Sequence, residues 1–180
     1  MKLFLAGDVP WRELIYSKAI INCSAAEENQ EGNSMNIMLA GGESGADELR
    51  EQRKKYKPYI LESFLQSTEK SVKYLPYYGD YMLDSGAFSM LMGNAKKVDL
   101  KTYVDSYIAY IQKYNVQKFF ELDIDPIVGY EEVLKIRKYI AEKVGRSPIP
   151  VWHKSRGMKD FIEMCKRYKY CLLYTSDAAD

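Results

Sequence analysis

The sequence predicts an α/β protein, a (β/α) barrel truncated to about its first five strands. Three observations predict it. From Tyr81 onward, apolar runs alternate with helical runs at about 30 to 40 residues per unit, the spacing of parallel strands joined by crossover helices. Polar groups recur where the apolar runs end, at Glu62, Asp84, Asp123 and His153. Neither a GxGxxG fingerprint nor a Walker loop is present, which disfavours the nucleotide-binding open sheets. An open doubly wound sheet is the competing architecture. An incomplete eight-stranded barrel, which takes about 250 residues when whole, accommodates five strands in this length.

The elements follow in order. Lys2 to Ala6 reads as a short buried strand, and Gly7-Asp8-Val9-Pro10 as its exit turn. Trp11 to Ile21 carries Trp11, Leu14, Ile15 and Ala19 at helical spacing. Ser24 to Gly45 reads as a surface loop around a short apolar piece, Met35 to Ala40. Ala46 to Lys57 reads as an exposed helix that Pro58 ends. Tyr59 to Phe64 is the second strand. Ser67 to Asp80 is an ordered loop with a possible short helix, and Tyr81 to Leu83 is the third strand. Asp99 caps a helix whose apolar positions are Leu100, Tyr103, Val104, Tyr107, Ile108 and Ile111. Lys118 to Asp123 is the fourth strand. Tyr130 to Val144 is an amphipathic helix with Val133, Leu134, Ile136, Ile140 and Ala141 facing inward, stopped by Gly145. Ile149 to His153 is the fifth strand, and Gly157 to Tyr168 the last helix.

Composition narrows the function classes. A formal net charge of +1 over 180 residues gives no global polyelectrolyte character. Tyrosine is common, 16 against 6 phenylalanines, which suits half-buried helix faces and base stacking. Cys23, Cys165 and Cys171 are scattered and odd in number, which argues against a disulfide framework or a zinc site in these residues. The apolar stretch at Met1 is too short for a signal peptide, and no run reaches the roughly 18 apolar residues of a membrane span. A cytoplasmic protein that does not enter membranes is expected. Cys171 to Asp180 does not continue the pattern before it. It resembles the conceptual translation of a sequencing adapter. Residues 1–170 are therefore read as the N-terminal part of one barrel domain, and residues 171–180 as a non-native tail. The other reading of the same residues is a short polar tail after one more strand, Tyr170 to Tyr174.

In a parallel barrel the strand ends share one face, so the polar groups there would converge on one mouth. Asp84 begins the run Asp84-Ser85-Gly86-Ala87-Phe88-Ser89. The carboxylate can read a polar ligand, Gly86 lets a backbone come close, and Phe88 offers a flat face. An Asp-Ser helix cap is the plainer reading of the same residues. Glu62, Asp123 with Asp125, and His153 complete the set. Asp84, Asp123 and His153 are possible metal ligands, but no tight ligand spacing supports a metal. Lys154-Ser155-Arg156-Gly157 is a basic turn at a helix start, where two cations and helix N–H groups suit a phosphate. From Lys135 to Lys169 there are eleven Lys and Arg against three Asp and Glu, a nucleic-acid-facing surface or an ordinary helix exterior.

These motifs resemble those of the tRNA-guanine transglycosylases, the queuine tRNA-ribosyltransferases. Asp84-Ser85-Gly86-Ala87-Phe88-Ser89 is similar to that family's Asp-Ser-Gly-Gly-(Phe/Tyr)-Gln signature. Asp123, closing Phe120-Glu121-Leu122-Asp123, resembles its second strand-end aspartate. Leu-Asp-Ser-Gly-Ala-Phe, Glu-Leu-Asp-Ile-Asp and Val-Trp-His-Lys-Ser-Arg-Gly resemble the pattern of small virus- and bacteria-encoded relatives. The resemblance implies a TIM barrel that exchanges guanine for a 7-deazaguanine in tRNA or DNA by attack at the ribose C1′. It implies that Asp84 handles proton transfer or recognises the base. Ser85 and the Gly86 backbone would line the base pocket, Phe88 would stack on the base, and Asp123 would accept from its donor edge. Ala87 in place of the second Gly and Ser89 in place of Gln depart from the signature. The family's nucleophilic aspartate and its cysteine-rich structural zinc motif would lie beyond Tyr170, so no cofactor is expected within these residues and the chain alone is expected to be inactive. A glycosidic or metal-assisted hydrolase on the same barrel, and a non-catalytic nucleobase-binding barrel, remain the alternatives.

Overall fold

The computed structural model describes residues 2–5, 18–22, 38–40, 51, 54–67, 69–92 and 99–174. The strands are β1 (Lys2–Leu5), β2 (Lys18–Asn22), β3 (Met38–Ala40), β4 (Tyr59–Ser63), β5 (Asp80–Asp84), β6 (Val151–His153) and β7 (Tyr170–Tyr174). The helices are α1 (Glu69–Val72), α2 (Ala87–Met92), α3 (Leu100–Lys113), α4 (Asp125–Val128), α5 (Tyr130–Val144) and α6 (Gly157–Arg167). The chain divides into two compact units, Met1–Ala40 with Ile149–Asp180, and Gly41–Pro148. Among the described residues no sheet closes on itself.

The first unit holds a sheet in the order β1-β2-β7-β6. β1 and β2 pair antiparallel with Lys2 opposite Asn22, and β2 and β7 pair antiparallel with Lys18 opposite Tyr174. β6 and β7 are parallel. One sequence reading changes here. Residues 18–21, expected in a helix, belong to a strand: Ile20 and Ile21 are β-branched, and pairing on both edges outweighs the weak helical spacing before it. The rest of that expected helix, the Gly7–Pro10 turn and most of the Ser24 to Gly45 loop lie outside the described residues. At the other end the strand crosses the boundary drawn at Tyr170 and runs to Tyr174, with Cys171 and Leu172 buried. Trp152, Met164 and Cys171 form a small core, with Phe161, Cys165, Tyr168 and Leu173 packed against it.

The second unit is built on two parallel strands. β4 and β5 pair with Tyr59 opposite Asp80 and Ser63 opposite Asp84, so their C-terminal ends are level. Lys118 to Asp123, expected as a full strand, meets β5 through a parallel bridge, Phe119 opposite Leu83. The Leu83 N–H donates to Lys118 O (3.0 Å) and the Phe120 N–H to Leu83 O (2.9 Å). Beyond Phe120 the chain turns, with the Ile124 N–H on Leu122 O, and α4 begins at Asp125.

Two long helices cover this unit. Asp99 caps α3, its Oδ2 accepting from the Thr102 N–H at 3.0 Å, as its position before an apolar-periodic run predicts. Tyr103, Val104, Tyr107, Ile108 and Ile111 are buried, which is the predicted face. α5 matches its predicted ends, and Gly145 closes it in the left-handed region at φ 75°. Its inner face is Val133, Ile136, Arg137 and Ile140, with Arg137 unexpected there and the expected Leu134 and Ala141 only half-buried. These helices join Leu83, Phe119, Leu122 and Ile124 in one core, where each fully buried large apolar side chain contributes about 1.5–3 kcal/mol. No helix among the described residues is long and apolar enough to cross a membrane.

Candidate functional site

The level ends of β4 and β5 make the candidate site. Side chains on a strand alternate between faces, and register partners in a parallel pair share one. Tyr81 and Leu83 therefore share a face with Ile60 and Glu62, while Met82 and Asp84 belong to the other. The face of Leu83 is the one α3 packs on.

This sorts the strand-end acids. Glu62, read from sequence as a ligand-binding residue, is 2% exposed on the helix-covered face, and its Oε2 accepts from the Tyr81 hydroxyl at 2.8 Å. Tyr81 stacks on Tyr78, 6.0 Å between ring centroids and 15° between planes. Burial, and then the Glu62 charge, push the Tyr81 phenol far above its ordinary range. Glu121 is likewise buried and forms an ion pair with Arg137 of α5. Glu62 thus ties β4 to β5, and Glu121 ties the segment after the bridge to α5. Asp84 stands apart, half-buried on the opposite parity, level with Ser63. Asp123 is buried just past the bridge that extends this edge, and Asp125 is half-buried at the start of α4.

The residues after Asp84 build a tight exit. The Ser85 Oγ accepts from the Ala87 N–H at 3.4 Å, and the Met90 N–H donates to Gly86 O at 3.0 Å. That is the helix-cap arrangement the sequence allows, and it starts α2, a helix the sequence reading left out. Gly86 adopts φ +65°, where a side chain is strained. A Cβ there would lie 2.6 Å from Ser63 Oγ and 2.9 Å from Leu65 Cβ. The close approach that Gly86 permits is therefore to the turn after β4. Phe88, in the first turn of α2, is 38% exposed and presents a ring to the surface.

Two phenols of α3 reach the same edge. The Tyr103 hydroxyl donates to Ser85 O at 2.6 Å, and the Tyr107 hydroxyl to Phe120 O at 2.9 Å and Leu83 O at 3.3 Å. Burial, and secondarily the Asp84 charge, push Tyr103 up to about 12 and hold Tyr107 well above its ordinary value. Neither residue stands out in the sequence except as a core position. Their shared i, i+4 spacing on the face toward a strand end is the signal that could have found them.

The remaining expected site residues belong to the first unit. His153 is buried at the end of β6. Lys154 is exposed, and Arg156 turns inward: its guanidinium donates to Val151 O and lies 3.6 Å from Asp160. In the basic run, Arg137 is paired with Glu121, Lys135 with Glu132 and Lys166 with Glu163, and Arg146 donates to Val116 O. Much of that charge is thus answered locally.

Compared with known proteins, the chain matches no family model, no curated sequence and no solved structure.

Proposed function

We propose that the edge at Asp84 and Asp123 binds a guanine-type base, and that the chain belongs to a transglycosylase-like enzyme on a (β/α) barrel. The reaction would exchange guanine for a 7-deazaguanine in tRNA or DNA. The observation that carries the reading is the placement of Asp84. It ends a parallel strand level with its neighbour, on the parity opposite the helix-packed face, while Glu62 and Glu121 are committed to packing. Strand ends of this kind are where α/β folds place ligands. A carboxylate accepts from two N–H donors at once, and the guanine edge offers such a pair. The exposed ring of Phe88 four residues on supplies a stacking face. Exchange would require the base to leave its stack first.

Calorimetric titration of the protein with 7-deazaguanine and with adenine tests the reading. Saturable binding of the former and not the latter is expected, weakened about tenfold or more in Asp123→Asn, given the 1–3 kcal/mol that a bidentate pair contributes to base discrimination. A folded protein that binds neither base sinks it.

A further inference from the structure

We infer that Tyr103 and Tyr107 are positioning residues for Asp84, fixing the backbone on either side of it where the β-ladder opens. The inference rests on the proposed role of Asp84.

The ladder between β5 and residues 118–120 has two rungs around Leu83: Leu83 N–H to Lys118 O and Phe120 N–H to Leu83 O. A continuing parallel ladder would next use Phe120 O and Ser85 O as acceptors. Here both accept phenol hydroxyls instead, Phe120 O from Tyr107 and Ser85 O from Tyr103. The Tyr107 hydroxyl oxygen also lies 3.3 Å from Leu83 O, which the Phe120 N–H already holds, so a phenol stands at the carbonyl on each side of Asp84. The geometry matches. Residues four apart on a helix stand about 5–6 Å apart at Cβ, and carbonyls two apart on a strand about 7 Å. One turn of α3 therefore spans the two acceptors that flank Asp84.

The substitution of phenols for rungs has a consequence. A strand continued by its ladder would draw the chain after Asp84 against residues 121–122. Phenol donors satisfy the same buried carbonyls while leaving the two strand ends separate, which avoids the cost of orphaned acceptors. Phe64 locks the arrangement from the side, its ring 5.4 Å from that of Tyr103 and 5.3 Å from that of Tyr107. The turn at Gly86 then packs on Ser63 and Leu65, so the Asp84 segment is held from both the helix and the neighbouring strand.

The test uses Tyr103→Phe and Tyr107→Phe, with Tyr139→Phe as a control whose hydroxyl meets Asp105 on the helix surface. Amide hydrogen exchange and 7-deazaguanine affinity are measured on each, with circular dichroism to establish folding. In Tyr103→Phe, exchange at Ala87 and Met90 is expected to rise about tenfold relative to Ile136 and Ile140 of α5, the change that one lost hydrogen bond gives. In Tyr107→Phe the rise is expected at Phe120. Base affinity should fall about tenfold in both and stay unchanged in the control. Uniform acceleration across α5, or none, overturns the inference, because a merely structural tyrosine would act on global stability. Local acceleration with unaltered base affinity overturns it as well. If the wild type takes no base, the proposed function falls, and the exchange contrast alone decides whether the phenols hold the turn.

Discussion

Removing the guanidinium of Arg137 should damage the second unit more than any surface change. Its Nε donates to Glu121 Oε2, and the two side chains are 9% and 2% exposed. Glu121 lies between Phe120 and Leu122, both fully buried, so water cannot replace the lost partner cheaply. Arg137→Met leaves a carboxylate in the interior, and breaking a buried pair in this way costs about 3–5 kcal/mol. Against a total stability of about 5–15 kcal/mol, that is a large share. For a unit of this size each kcal/mol moves the midpoint about 4–8 °C, so a fall of about 12 °C or more is expected. The double variant Glu121→Met, Arg137→Met removes both charges and should recover most of the loss. Urea denaturation followed by helix circular dichroism gives the four free energies of the cycle. The single variant's deficit should also shrink as pH falls, because protonation relieves a buried carboxylate that has lost its guanidinium. A loss under about 1 kcal/mol, the range of an exposed ion pair, would refute the reasoning.

Two further outcomes follow from the same region. Gly86→Ala places a Cβ 2.6 Å from Ser63 Oγ at φ +65°, and a loss of about 2–4 kcal/mol in thermal or urea denaturation is expected from left-handed strain plus overpacking. Ser63→Ala on the same background should return part of it, and no return would show that the contact is not the cause. The tyrosines carry a pH signature. Tyr103 titrates near 10 when unfolded and is pushed up to about 12 when folded, so its contribution is fully present below about pH 10 and is lost as pH rises toward 12. Ultraviolet titration should reveal a late-ionising class that includes Tyr103, Tyr107 and Tyr81, and a single transition near 10 for all tyrosines would contradict that burial.

How much of this was legible in the sequence depends on the element. The start of α3 was legible from the Asp99 cap and its buried face from a sustained apolar period, and both ends of α5 from its apolar period and the closing Gly145. β4 and β5 were legible as apolar runs between breakers. β2 was not, because its strand state depends on two partners remote in sequence. The segment at 118–123 reads as a strand by composition, yet a turn after Phe120 ends its ladder with β5 at the Phe119 bridge. At the site, the position of Asp84 at a strand end and the tight turn at Gly86 were readable from residue type. The parity that sets Asp84 apart from Glu62 needs the pairing register, which the sequence does not contain. Arg137 was overlooked because a buried cation on an apolar face is visible only once its partner is placed.

If Asp84 and Asp123 face the base, their carboxyls sense it on binding. Carbon-13 spectroscopy of aspartate carboxyls during titration with 7-deazaguanine reads this out. Saturable shifts are expected at Asp84 and Asp123, with Asp99 and Asp105, committed to the α3 cap and to Lys101, unmoved. Saturation without movement of Asp84 and Asp123, or no saturation from a folded protein, would contradict that placement.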